Sequence, residues 1–396
     1  MEALSDIRVL DLAGDKAAYC SKLLLDLGAE VILLEPPSGC AARKHGPFLK
    51  HNPHPDYSIG FLYYNINKKS ITLNVHERDG MDILMKLIRH VDVVINSYSP
   101  GESAEIGIHY DALSHAKPEL IVASITGYGL TGPKKNYAYS ELTAQAAGGL
   151  AFVTGQANEP PVRLSCDAGH LQASLSAAVG ILIALLERDR SHRGQLIDIS
   201  TQEAVAEVLE AIPYDYYFND KVTRRRGSKV GLARGIFECK DGHVACNAPR
   251  NALDALLAWM CQQGDVENAM MEKLRTNKEE NADLINGLLK SFFKRYTKEQ
   301  LYHEAQDRRI PLCPVNTISD VIKDQQLRER EYYRRIDHPG CAETLLYAAN
   351  PMLFDGERCF SKGRAPSIGE HNVDVYTRLL GIPPEEIEIL MAQGVV

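Results

Sequence analysis

The stretch RLSCDAGHLQASLSAAVGILIALLERDR, from Arg163 to Arg190, passes from a polar turn into a helix of small and aliphatic residues. Ala173, Ser174, Ser176, Ala177, Ala178 and Gly180 keep that helix slim enough for another backbone to approach closely, and Leu182, Ile183, Leu185 and Leu186 are expected to bury against a core. It reads as a central packing helix. Asp167, Gly169 and His170 stand at its start, where unpaired backbone N–H groups favour an anion or a reacting carboxylate. Asp167 there is a nucleophile, an N-cap or both, and His170 is either a chemical group or a satisfied first-turn histidine.

Upstream, RVLDL at Arg8–Leu12 reads as a short buried strand, Lys16–Leu27 as a helix ended by Gly28, and Val31–Leu34 as the next strand, a β-α-β unit with a parallel pair. The turn Ala13-Gly14-Asp15-Lys16 is not a GxGxxG phosphate loop, so nothing supports a dinucleotide cofactor. After the polar segment Pro36–Tyr57, the stretch Tyr63–Leu73 returns to strand character past Lys68-Lys69. Gly80–Arg89 reads as a helix, and Val91–Ile95 and Ile121–Ile125 as buried strands. The loop GYGLTGP at Gly127–Pro133 follows a strand, which is where open α/β sheets bind ligands. Beyond the central helix, Leu196–Ser200 is one more strand and Glu203–Leu209 the start of a further helix. This alternation predicts an α/β, Rossmann-like fold.

The composition then shifts. Arg224–Gly235 is a basic connector, whose Arg224, Arg225 and Arg226 are either a phosphate clamp or a solvated face. Gly235–Ala245 reads as a hairpin turning at Asp241-Gly242, and Asn251–Glu304 as amphipathic helices with Leu256, Leu257, Trp259 and Met260 on one stripe. Short strands are expected around His338–Phe354, and two short helices end the chain.

A net charge of −8 over 396 residues argues against a general nucleic-acid or membrane-surface binder. The nine cysteines are odd in number, scattered and without a CxxC pair, so neither a disulfide framework nor a zinc site is suggested, and a reducing cytoplasm is the expected setting. Cys166 near His170 is read as a small buried residue rather than a nucleophile. His243 and His338 lack partners at metal spacing and are read as surface or capping residues. The opening MEALSDIRVLDLAG lacks the pattern of a secretory signal, and the Ala177–Leu186 run is too short to span a bilayer.

Several motifs together point further. VLDL at 9–12, LLLDLGAEVILLEPP at 23–37, YYNINKKSITLN at 63–74, DVVINSYSPG at 92–101, SITGYGLTGP at 124–133 and ERDRSHRGQLIDIS at 187–200 resemble the class III CoA-transferases in order and spacing. APSIGEHNVDVYTRLLG at 365–381 is similar to their C-terminal segment. The resemblance implies a Rossmann-like large domain built from both chain ends, residues 1–220 and 331–396, with a small domain at 221–330, two chains interlocking as threaded rings. It implies transfer of CoA from an acyl-CoA donor to a carboxylic or dicarboxylic acid through mixed anhydrides and an enzyme thioester on an aspartate. CoA thioester is then a substrate, and no metal or permanently bound cofactor is required. Lys16, Ala17, Arg43, Leu73, Ser97 and Tyr98 occupy positions resembling CoA contacts, and Glu141 one resembling a substrate-facing acid. Pro36 and Ser99 depart from frequent family residues there.

The departure at the helix start is sharper. The family's aspartate lies in a pattern like G-D-x-x-x-G, and the aligned residues here are Gly169-His170-Leu171-Gln172-Ala173-Ser174, with His170 in the aspartate's place. An imidazole cannot form the family's acyl anhydride. The chain therefore resembles the aspartate-lacking subunit of heteromeric members, whose paralogous partner supplies the carboxylate. Two alternatives remain: a self-sufficient homodimeric racemase, isomerase or transferase using His170 with Asp167 or Glu141, and a non-catalytic structural partner.

Overall fold

The structure is a computed structural model that describes residues 3–276, 278, 280–338, 344–359 and 363–396. The chain divides into two compact units, one of Met1–Ala151, Arg163–Asn219 and Glu329–Val396, the other of Phe152–Val162 and Asp220–Arg328. The short excursion Phe152–Val162 was not separable in the sequence.

The first unit is organised on six parallel strands, β1 (Arg8–Leu12), β2 (Glu30–Glu35), β3 (Lys69–Thr72), β4 (Val93–Asn96), β5 (Ile121–Thr126) and β6 (Leu196–Ser200), in the order β3-β2-β1-β4-β5-β6. Leu10 of β1 sits opposite Ile32 of β2 on one side and Val94 of β4 on the other. Apolar runs fill β1, β2, β4 and β5 because both faces are covered there. Val9, Val31, Val93 and Ile121 meet the helices Ala18–Asp26 and Ala168–Ser191 on one face. On the other, Leu10, Ile32, Ile71 and Val122 meet Arg78–Ile88 and the C-terminal residues Val375, Tyr376 and Ile387. The large unit is thus closed by the end of the chain. Asn372 Oδ1 accepts from the Thr72 backbone N–H at 2.8 Å, and the Tyr376 hydroxyl donates to the Thr72 carbonyl at 2.7 Å, tying that end to the sheet's edge strand.

Ala173, Ala177, Ile181 and Ala184 of the central helix pack into the sheet core. The helix is long and apolar enough to cross a membrane, yet this small-residue face marks it as a core helix. The expectation for Ile183 and Leu186 is corrected: they are 61% and 66% exposed, because with Leu175 and Val179 they lie on the opposite side of the helix. A helix at Ile59–Tyr64, capped by Ser58, precedes β3 and was not anticipated. Tyr333–Asp337 and Thr344–Ala348 form an antiparallel pair within the stretch expected to carry strands, and residues 339–343 lie outside the described residues.

The second unit holds four antiparallel strands, β7 (Lys229–Gly231), β8 (Arg234–Cys239), β9 (Gly242–Asn247) and β10 (Leu312–Pro314), in the order β10-β9-β8-β7. Cys239 pairs with Gly242, so the hairpin turns on Lys240 and Asp241, one residue earlier than expected. Leu256, Leu257, Trp259 and Met260 of the helix Arg250–Gln262 are buried in this unit's own core. Residues 277 and 279, inside the stretch expected to be helical, lie outside the described residues.

Candidate active site

The sheet order reverses direction between β1 and β4, and the crevice outside the carboxyl ends of such strands is where doubly wound folds bind ligands. Ser97, just past β4, donates its hydroxyl to the Ala13 carbonyl at 2.8 Å and joins the two strand exits. Lys16 follows β1 and sets its ammonium 4.8 Å from the centre of the Tyr139 ring. Ala17 is fully buried beside it, and Tyr98 is half-buried, its phenol pushed above the usual range by burial and by the Glu102 carboxylate.

Two residues with expected CoA contacts are buried. Leu73 is 1% exposed and belongs to the core. The Arg43 guanidinium is also 1% exposed, gripping both Glu35 carboxylate oxygens at 2.7 and 2.8 Å, Asp56 at 2.7 Å and the Pro366 carbonyl at 3.0 Å. Any contact from Arg43 to a ligand requires breaking this buried fork.

At the start of the central helix the structure corrects the capping assignment. Asp167 has φ −81° and ψ 58°, outside the extended conformation from which a cap reaches back, and makes no capping hydrogen bond among the described residues. Glu141 takes that role from a different element. Ser140 caps the helix Glu141–Ala147, which turns the Glu141 carboxylate toward the central helix. There it accepts the backbone N–H groups of Gly169 at 2.8 Å and His170 at 2.9 Å, with the Gln145 amide donating at 2.9 Å. A Cβ on residue 169 would lie 3.1 Å from the nearer Glu141 oxygen, so glycine permits the close approach.

His170 Nδ1 lies 3.6 Å from Glu141 Oε2. Its Nε2 is buried and finds no hydrogen-bond partner among the described residues. The ring meets Tyr139 edge-on, with centroids 6.1 Å apart. Tyr139 in turn packs on Gly127, where a Cβ would come within 2.3 Å of the ring.

A cleft of about 260 Å³ runs past these groups, lined by Asp15, His45, Tyr64, Asn65, Asp167 and His170 among others. Asp15 pairs with His45 at 3.3 Å. Burial, reinforced by the Asp167 carboxylate, pushes the Tyr64 phenol up to about 12, so it remains an O–H donor at neutral pH. Under the cleft lies a network that sequence reasoning missed. The fully buried Lys68 ammonium donates to Asp11 at 2.8 Å, Ser21 at 2.7 Å and Asn65 at 2.9 Å, and Asn65 carries that anchorage to the cleft wall. The available signal was an aspartate inside the apolar run VLDL, a charge that needs a buried partner.

The geometry thus brings Glu141, His170 and Asp167 to one place, with Lys16 alongside through Tyr139. Arg225 donates to the Phe152 carbonyl at 2.7 Å within the second unit. His338, expected as a surface or capping residue, is 8% exposed and bonded to the Tyr347 hydroxyl at 2.7 Å, its ring stacked on that of Tyr347. No cluster of three potential metal ligands occurs among the described residues.

The family model described as CoA-transferase family III matches residues 4–372. The chain belongs to that family. It is 30% identical to the succinyl-CoA:(R)-benzylsuccinate CoA-transferase subunit BbsE of Thauera aromatica, over 99% of this chain and 98% of that one. It is 29% identical to a succinyl-CoA–D-citramalate CoA-transferase of Chloroflexus aurantiacus, over 99% and 98%. A crystal structure of a CAIB/BAIF family protein from Brucella suis superposes with a TM-score of 0.80 at 25% identity, covering 94% of this chain and 98% of that one. A CoA-transferase role and a CoA thioester substrate follow from this membership.

Proposed function

We propose that this family III chain is the aspartate-lacking subunit of a heteromeric CoA-transferase that moves CoA from an acyl-CoA donor to a carboxylic or dicarboxylic acid. The observation that carries the reading is the imidazole of His170 in the first turn of the central helix, where the family pattern has a carboxylate. Anhydride formation needs a carboxylate oxygen as nucleophile, and the nearest acid, Glu141, is committed to two backbone N–H groups and an amide. Relatives named as subunits support a divided enzyme, among them BbsE and the alpha and beta subunits of a succinyl-CoA–L-malate CoA-transferase of Chloroflexus aurantiacus. An interlocked paralogous partner also accounts for the apolar stripe Leu175, Val179, Ile183 and Leu186, exposed on the helix that begins at the site. Lys16, Ala17, Ser97 and Tyr98 at the switch point form the proposed CoA contacts, and the scattered free cysteines fit a cytoplasmic setting.

One observation favours a second reading, a self-sufficient enzyme: Asp167 lines the same cleft as His170, and its carboxylate is not used as a cap. Intact-mass spectrometry separates the two. The isolated chain incubated with succinyl-CoA is expected to gain no acyl or CoA adduct, and native mass spectrometry of the protein from its own source is expected to show two kinds of chain. A covalent adduct on Asp167 in the isolated chain would overturn the first reading.

A further inference from the structure

Buried polar atoms without partners are few in folded proteins, and a group of them in one place marks a missing hydrogen-bonding molecule. Behind the start of the central helix the structure holds such a group. His170 Nε2 and Ser174 Oγ are both buried without a hydrogen-bond partner among the described residues. They lie one turn apart on the helix, so their side chains share a face.

Ser174 is informative because of what it does not do. A serine inside a helix ordinarily donates to the carbonyl four residues back, as Ser176 does to Gln172 and Ser191 to Glu187, both at 3.0 Å. Ser174 makes no such bond among the described residues, which leaves its buried hydroxyl, one turn from the imidazole, without a partner. The ring of Tyr139 packs edge-on against the imidazole. On the other side of the imidazole, Nδ1 is turned toward Glu141. His170 and Ser174 are also the two positions where the chain departs from the aspartate and second glycine of the G-D-x-x-x-G pattern.

We propose that an ordered water molecule occupies the space between His170 Nε2 and Ser174 Oγ, bonding to both. A water with two to four polar partners is the usual occupant of a site of this chemistry. Nε2 is then held by the water, while Nδ1 stays 3.6 Å from Glu141 Oε2, beyond hydrogen-bond length. His170 and Ser174 are then a matched pair, the hydroxyl supplying the water with the second partner that a glycine at 174 would not.

The test is independent of whether the chain transfers CoA. A crystal structure of the full chain in its native assembly, at about 1.8 Å, is expected to show a water within about 3.2 Å of Nε2 and of the Ser174 hydroxyl. Thermal unfolding of His170→Phe, Ser174→Ala and the double variant is expected to be non-additive: with the imidazole gone, losing the hydroxyl should lower Tm by less than half of what it costs in the parent. A well-ordered map with no water at that position, or additive shifts in Tm, would overturn the proposal.

Discussion

Replacing Lys68 by Met keeps the apolar stem of the side chain and deletes its charge. In the parent the ammonium and the Asp11 carboxylate are both fully buried 2.8 Å apart, and the ammonium also holds Ser21 and Asn65. Four hydrogen bonds disappear, the fourth to the Ala18 carbonyl, and among the described residues Asp11 keeps the Ser21 hydroxyl and the Ala13 N–H as donors. Removing one member of a buried ion pair costs roughly 3–5 kcal/mol, because an uncompensated charge is left in a low-dielectric interior. Domains are typically stable by about 5–15 kcal/mol, so the variant should lose about a fifth or more of its margin. The measurement is urea denaturation, with the midpoint falling while the m-value holds. The double variant Asp11→Asn, Lys68→Met should recover part of the loss, since neither partner is then stranded. A single-variant cost below about 1 kcal/mol, or a double variant equal to the sum of the singles, would refute the argument that this pair holds the floor of the cleft.

Arg43→Lys keeps the charge but loses the fork that grips both Glu35 oxygens, and should cost about 1–3 kcal/mol in denaturation while CoA affinity, measured by calorimetry, stays within about twofold; a tenfold loss of affinity at unchanged stability would show that Arg43 contacts CoA after all. Burial opposes ionisation of Glu35, but the Arg43 guanidinium and the Cys40 and Ser70 donors outweigh it and hold its carboxyl below the usual range. A depressed carboxyl contributes stability fully present above its unfolded value of about 4.3 and lost as pH falls through the folded value, so the advantage of the parent over Glu35→Gln should shrink below about pH 4 in acid-unfolding curves, and an advantage that grows there would contradict it. His170→Asp restores a carboxylate at the helix start and should produce an acyl or CoA adduct with succinyl-CoA by intact mass, where the parent gives none; a folded variant without adduct would mean that the surrounding groups have also lost the chemistry.

Much of the sheet was legible because parallel strands buried on both faces must be short apolar runs, and RVLDL, VILLE and IVASIT are such runs. The helix at Ile59–Tyr64 was hidden because its stability comes from burying Phe61 and Leu62 under a serine cap, not from a repeating pattern long enough to see. At the site, the sequence placed Asp167, Gly169 and His170 at a helix start through spacing alone. It could not show that Glu141, 28 residues before Gly169, reaches across to cap that helix, since the capping rule looks only at adjacent residues. Lys68 escaped for the opposite reason: a lysine before a strand looks solvated until its partner on β1 is known.

The ties between Thr72 and the helix that begins at Asn372 span 300 residues of chain. Synthesis at about 5–20 residues per second puts roughly 15–60 s between the emergence of the two from the ribosome. During that interval β3 and the sheet face later covered by Val375 and Tyr376 stand open, and the nascent chain must carry an uncovered apolar surface until its last turns are made. The completion of this fold is therefore timed by translation, and a chain stalled near its end would present to chaperones the same surface that the finished protein conceals.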